Sequence, residues 1–283
     1  MNITSNLKGG DENKLIDFYN SNEAEISTIV KKENNILICT YNVHGWININ
    51  DDISVEDNFA FIIKMFKKMN ADILLLQEVC FNGIPISKKY IIDSFIEIGF
   101  IDCYYTENGG CFNEKGKCDN IMVLSKKELV NVKKIILPKF RFKRNCITFE
   151  YDQIKIATLH LEIGDRFHHL RENTPARIKI ENKNSDQRIA QLEHILGLSS
   201  PSFDYIVGDF NFSSNTIEKE FIWMQEHNYK YYGGMEHTTP YNRTDMLFKR
   251  KDHILSNIIK HLDVKVNYSD HLPVLYEITF DNK

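Results

Sequence analysis

Polar and acidic residues recur along this chain where short apolar runs end. Asn42 and His44 follow ILICTY, Glu78 follows DILLLQ and His160 lies within IATLHLE. Asp209 and Asn211 follow YIVG, Asp252 opens DHIL, and Asp270 and His271 precede a last apolar run. Singly, each has an ordinary explanation as a turn, cap or hydrogen-bonded structural residue. Gathered at one edge of a rigid scaffold, they would form a preorganised site. The set suits hydrolysis of a phosphate ester. Glu, Asp and Asn oxygens are hard ligands appropriate to Mg2+ or Mn2+. Two histidines could stabilise charge on phosphoryl oxygens while carboxylates hold their tautomers, and an Asp beside an Asn could align and deprotonate a water. The sequence holds no His-Glu-x-x-His for zinc, no Gly-x-x-x-x-Gly-Lys-Ser/Thr phosphate loop and no Gly-x-Ser-x-Gly elbow.

The elements that must position these residues follow from the apolar pattern. Strands are expected at 36–41, 72–76, 120–125, 132–137, 146–151, 154–161, 205–207, 252–255, 262–266 and 274–280. Ser54 to Asp57 is a helix-opening signature before Phe59, Ile62, Ile63 and Phe66 at helical spacing. Further helices are expected around 91–98, 186–198 and from about 216, with an aromatic loop over 229–245. Strands outnumber helices without strict alternation, which favours two packed, mostly antiparallel or mixed sheets with flanking helices over a doubly wound sheet.

Composition sets the outer bounds. The chain has 283 residues, 42% of them hydrophobic and 26% charged, which excludes a disordered or fibrous protein. Lys and Arg number 35 against 39 Asp and Glu, a net charge of −4, so bulk positive charge does not drive any nucleic-acid binding. No apolar run approaches the length of a membrane span. The polar start MNITSNLKGG lacks an export signal, so a cytoplasmic or nuclear location is expected, with the six cysteines reduced. Residues 1–34 read as a polar N-terminal extension and 35–283 as a single catalytic domain, expected to be a monomer. Cys103, Cys111 and Cys118 read as loop thiols, and Cys39, Cys80 and Cys146 as small buried residues.

The ordered series TYNVHG (40–45), LLLQEV (74–79), ATLHLE (157–162), VGDFN (207–211), KDHIL (251–255) and YSDHLPV (268–274) resembles the endonuclease/exonuclease/phosphatase superfamily of deoxyribonuclease-like, metal-dependent phosphoesterases. The resemblance implies an α/β fold, a four-layered sandwich of two mixed sheets face to face with helices outside. It implies Glu78 as principal metal ligand, Asn42 beside it on metal or phosphate, and Asp270 completing the metal's shell, with Mg2+ or Mn2+ as cofactor. Asp209 would position or deprotonate the attacking water, and Asn211 would fix the phosphate and that water. His271, oriented by Asp252, would stabilise the developing charge, and His160 would contact a phosphoryl oxygen from the other side. In the abasic-site endonucleases the position of His44 holds an Asp, so here His44 is expected to touch substrate or to be structural.

Three features bear on the substrate. Lys126 to Arg144 holds eight basic residues against one acid, a strip that could steer a polyanion, and Arg144 is its candidate contact. Residues 163–184 form a long polar insertion, and Tyr229, Tyr231, Tyr232 and Tyr241 crowd one segment where Tyr241 could stack on a base. Together they favour a nucleic-acid phosphodiesterase: an endonuclease, an exonuclease or, from the combination HLE, R-x-x-Q-L and GDFN, one similar to the tyrosyl-DNA phosphodiesterase branch. The alternatives are an inositol-phosphate or sphingomyelin phosphoesterase of the same superfamily, or an inactive binding scaffold. No stable membrane insertion is expected.

Overall fold

The computed structural model describes residues 31–280 except 33, 49–52, 108–119, 165–173, 199–201, 213–218, 234–237, 240–243, 254, 265 and 267. Among the described residues, twelve strands form two six-stranded sheets. The first sheet has the order β11(Ser256–Asp263), β12(Val274–Phe280), β1(Ile36–Asn42), β2(Ile73–Val79), β4(Asn120–Ser125), β3(Asp102–Tyr105). The second has the order β5(Val130–Ile136), β6(Asn145–Tyr151), β7(Ile154–His160), β8(Tyr205–Asp209), β10(Asp245–Arg250), β9(Tyr229–Tyr232). Each contains one parallel pair, β1 with β2 and β7 with β8, while the other pairings are antiparallel.

Strand residues alternate between two cores. Ile36 and Ile38 of β1 join Leu75, Phe149, Ile156 and Val207 in a layer between the sheets. Leu37, Cys39 and Tyr41 face the opposite way, onto Phe59, Ile62, Phe66 and Phe95 of helices α1(Val55–Met69) and α2(Lys88–Glu97). Helices α3(Pro175–Gly197) and α4(Lys219–Glu226) cover the outer face of the second sheet through Leu192, Ile195 and Met224. This is the four-layered α/β sandwich.

Helix ends follow their residues. Ser54 and Ser87 accept from the N–H groups of Asp57 and Tyr90, and Asn70 closes α1 in the left-handed conformation. Thr174 caps α3 just before Pro175, so half of the polar insertion is helix; its first turns are polar and held by pairs such as Arg177–Glu181, and thus lack an apolar periodicity to read. Residues 165–173 lie outside the described residues.

Several expected elements move. The aromatic segment from 229 is strand β9, and β10 begins at Asp245, inside the expected loop. Asp252, His253 and Leu255, where a strand was expected, lie in the connection between β10 and β11, and β11 ends at Asp263. Cys103 lies in β3 and is half-buried rather than in a loop, whereas Cys39, Cys80 and Cys146 are buried as expected. Cys111 and Cys118 fall outside the described residues. Among those described, no helix is long and apolar enough to cross a membrane.

Candidate active site

The topology explains why distant residues meet. Parallel strands β1, β2, β7 and β8 end at Asn42, just beyond Glu78, at His160 and at Asp209. Antiparallel β10 starts where β8 ends, so Asp245 is the register partner of Asp209. Antiparallel β12 starts where β1 ends, with Thr40 opposite Val274, which brings Asp270 and His271 to the same edge. One edge of the sandwich therefore collects the ends of four strands and the beginnings of two.

Local backbone then aims the side chains. The β2–β4 register shifts between Leu76 and Val79, where Glu78 adopts φ 55°. Such a bulge turns an extra side chain toward the strand's end. His44 (φ 47°) and Asn211 (φ 53°) at this edge also occupy the left-handed region. His44 opens a short 3-10 turn, His44–Trp46, pinned where the Trp46 indole donates to the Cys80 carbonyl (2.9 Å). Buried Asn58 of α1 donates to the carbonyls of Trp46 and Tyr268, and the Ser269 hydroxyl donates to the Asn42 carbonyl (2.7 Å). These bonds tie the segment carrying Asp270 and His271 to the end of β1.

Asp209 is the hub. Its Oδ2 lies 3.1 Å from Asn42 Nδ2, 3.4 Å from His160 Nε2 and 3.8 Å from His271 Nε2. Its Oδ1 accepts the Asn211 backbone N–H at 2.9 Å, and Asn211 Nδ2 donates to the Leu161 carbonyl. Burial pushes the Asp209 carboxyl up, but the facing His160 and His271 rings and the N–H groups of Asn211 and Asn42 outweigh it, and its pKa is lowered. Glu78 behaves alike. Burial raises it, while His44, His160 and the Asn42 amide hold it well below the ordinary carboxylate range.

His44 Nδ1 stands between Glu78 Oε2 (3.5 Å) and Asp270 Oδ1 (3.3 Å). Asn42 donates its amide N–H groups to Glu78 and Asp209, while its carbonyl accepts the His44 N–H. It therefore braces two carboxylates at the end of β1. Glu78 and Asp270, both partly exposed, supply hard carboxylate oxygens, and an ionised Glu78 fits a divalent cation. Asp209, Asp245 and His271 also place one potential ligand atom each within 4.8 Å of one another.

The partner of His271 is Asp245. His271 Nδ1 lies 2.7 Å from Asp245 Oδ2, and Asp245 is fully buried. Burial alone would lower the His271 pKa; the charge and hydrogen bond of Asp245, with Asp209 and Asp270 beyond, raise it well above the usual histidine value. The expectation that Asp252 orients His271 is corrected. Asp252 sits in the β10–β11 turn, its side chain 64% exposed and paired with Arg250 Nε at 2.6 Å. Asp245 carries the same signal as the other site residues, a carboxylate at the edge of an apolar run (Met246-Leu247-Phe248), but reading 229–245 as a loop hid it.

Arg144 is not at the surface of the basic strip. It is buried, with Nη1 2.8 Å from His160 Nδ1. The loop before it is clasped by fully buried Glu162, whose Oε2 accepts the backbone N–H groups of Arg141 (3.1 Å) and Phe142 (2.9 Å). The guanidinium carbons of Arg141 and Arg144 lie 5.1 and 5.4 Å from the Phe142 ring centroid. Tyr241 lies outside the described residues.

Solved structures share the fold at low identity. The human Nocturnin catalytic domain with bound sulfate anion superposes with a TM-score of 0.66 at 18% identity, covering 89% of this chain and 97% of its own. An endonuclease/exonuclease/phosphatase protein of Beutenbergia cavernae gives 0.65 at 14%, covering 88% and 72%. D. rerio TDP2 complexed with single strand DNA product gives 0.52 at 16%, covering 87% and 100%. Among curated proteins there is no significant match. The sequence profile of the Endonuclease/Exonuclease/phosphatase family matches residues 39–271, from β1 to His271. With that match and the strand-edge cluster of Glu78, His160, Asp209 and His271, the chain belongs to the endonuclease/exonuclease/phosphatase family of phosphoester hydrolases.

Proposed function

We propose that this protein hydrolyses a phosphodiester of a nucleic-acid strand by in-line attack of water. The observation that carries this reading is the Asp209 hub, an ionised carboxylate faced by two histidine Nε2 atoms beside the Glu78–Asp270 pair. In this reading Asp209 accepts a proton from the attacking water, and Asn211 fixes that water and the phosphate. His271, backed by Asp245, carries positive charge to the phosphoryl oxygens, and His160 faces them from the other side. Glu78 and Asp270 would hold Mg2+ or Mn2+, which when bound supplies further positive charge for the phosphate.

A nucleic-acid strand is favoured because the clasped loop sits against His160 and carries Lys139, Arg141 and Lys143. The DNA-bound TDP2 structure supports the same direction, since its fold holds a single strand product. The test is a cleavage panel with Mg2+ and Mn2+ on single-stranded DNA and RNA, nicked and abasic duplex, 5′-tyrosyl DNA, a soluble inositol polyphosphate and sphingomyelin micelles. An Asp209→Ala, His271→Ala double variant serves as control. Metal-dependent cleavage of a nucleic acid, lost in the control, is the expected result. Turnover confined to the lipid or inositol substrates would overturn the nucleic-acid reading, and silence on every substrate would overturn the enzymatic one.

A further inference from the structure

The two histidines that face Asp209 are backed by opposite chemistry. Behind His271 stands the Asp245 carboxylate, an acceptor only, so Nδ1 of that ring carries a proton. Behind His160 stands the Arg144 guanidinium, with Nη1 2.8 Å from Nδ1. A guanidinium has five N–H donors, no acceptor, and does not lose its proton in proteins. Nδ1 of His160 must therefore present its lone pair, which leaves the ring proton on Nε2. Nε2 is the atom aimed into the site, 3.4 Å from Asp209 Oδ2 and 3.9 Å from Glu78 Oε1.

The placement is built into the sheet. Cys146 pairs with Leu159 across β6 and β7, so the residue before β6 lies alongside the end of β7. The Arg144 carbonyl accepts the Leu137 N–H at 3.0 Å, and Glu162 holds the two loop residues Arg141 and Phe142. Both Arg144 and His160 are 1% exposed, so neither ring nor guanidinium has room to exchange partners with solvent.

We propose that Arg144 is a positioning residue that locks His160 in the Nε2–H tautomer, so that His160 serves the reaction as a hydrogen-bond donor and not as a base. The inference rests on the phosphodiesterase reading for its kinetic consequence alone; the tautomer follows from the contact itself. An Nε2–H ring donates to a phosphoryl oxygen but has no lone pair on that side with which to take a proton from water. That duty stays with Asp209.

The first test is nitrogen NMR of the full chain labelled in its histidines, with the His160 signals identified by their loss in His160→Gln. The expected spectrum has one unprotonated nitrogen, Nδ1, and one protonated nitrogen, Nε2. Arg144→Lys should keep it, because an ammonium also only donates. Arg144→Met should populate the Nδ1–H form. A wild-type ring protonated at Nδ1, or an Arg144→Met spectrum identical to wild type, overturns the proposal. The second test is turnover of a small aryl phosphodiester. His160→Gln, whose amide still offers an N–H, should keep kcat within about tenfold of wild type, Arg144→Met should lower kcat more than it raises KM, and Arg144→Lys should restore it. A loss in His160→Gln as deep as in Asp209→Asn overturns the donor role. Should wild type turn over no phosphodiester, the functional reading fails while the spectra still decide the tautomer.

Discussion

Asp245 and Asp252 both precede short apolar segments, yet one is buried 2.7 Å from a histidine and the other projects into solvent. Substitution should separate them cleanly. Asp245→Asn removes the charge behind His271 and is expected to lower kcat by about 10²-fold or more, the size of effect a lost charge partner in the transition state produces. Asp252→Asn should leave steady-state kinetics and the unfolding midpoint unchanged. Equal losses in the two variants would return the orienting role to Asp252. The residue scale is also where the sequence was most and least legible. Asn42, Glu78, His160, Asp209, Asp270 and His271 stand out because a polar group at the end of an apolar run contradicts strand periodicity. Asp245 does not, because Thr244 and Arg243 before it extend a polar stretch that disguises the strand's start. Arg144 read as one of eight surface cations, since no spacing rule says that a cation is turned inward onto a histidine.

At the scale of elements, close strand contact sets the position of two site residues. Gly208 pairs with Leu159 between β7 and β8, with φ 145°, and a Cβ there would meet the Leu159 carbonyl oxygen at 2.1 Å. Gly208→Ala should therefore force apart the strands that carry His160 and Asp209, at a cost of about 3 kcal/mol or more. Urea unfolding measures it, and a loss under 1 kcal/mol (roughly the glycine entropy effect alone) would refute the clash. A second inter-strand tie is acid-sensitive. Asp204 accepts the Lys155 N–H, lies 2.9 Å from His253 Nδ1 and pairs with Arg250. Burial pushes its pKa up, but His253, the Lys155 N–H and Arg250 outweigh that and lower it. Its stabilisation is therefore present above the unfolded pKa, near 3.8, and disappears as pH falls through the lower folded value. Asp204→Asn should cost about 1–3 kcal/mol at neutral pH. The gap to wild type should close in strong acid; a gap constant with pH would show that Asp204 acts through shape alone. Strands such as 120–125 and 274–280 were legible to the residue because apolar side chains dominate at least one face throughout, whereas β9 and β10 were not, their aromatic and polar residues matching turn composition as well as strand.

At the scale of the whole molecule, the net charge of −4 opposes a polyanion while one clasped loop attracts it. Lys139, Arg141 and Lys143 would then do for binding what global charge does not. Replacing Arg141 and Lys143 together by Ala should raise the KM for a single-stranded oligonucleotide and flatten its salt dependence. About 0.7 is lost from the log–log slope per phosphate contact removed, hence about 1.4 for two. The KM for a small aryl phosphodiester should not move. An unchanged slope would place the strand elsewhere on the surface.

The second sheet is drawn from one continuous stretch, β5 to β10, set inside the sequence of the first. The first sheet is consequently interrupted: β1 is made early, and its neighbour β12 is made only after the whole second sheet. On the ribosome, β1 thus waits for nearly the full length of the domain with one edge unpaired, an aggregation-prone state that slow, non-local pairing prolongs. The strands of the second sheet, with His160, Asp209 and Asp245, are all made in the meantime. Asp270 and His271, just ahead of β12, come last, so the set of site residues is complete only once the final strand is being made.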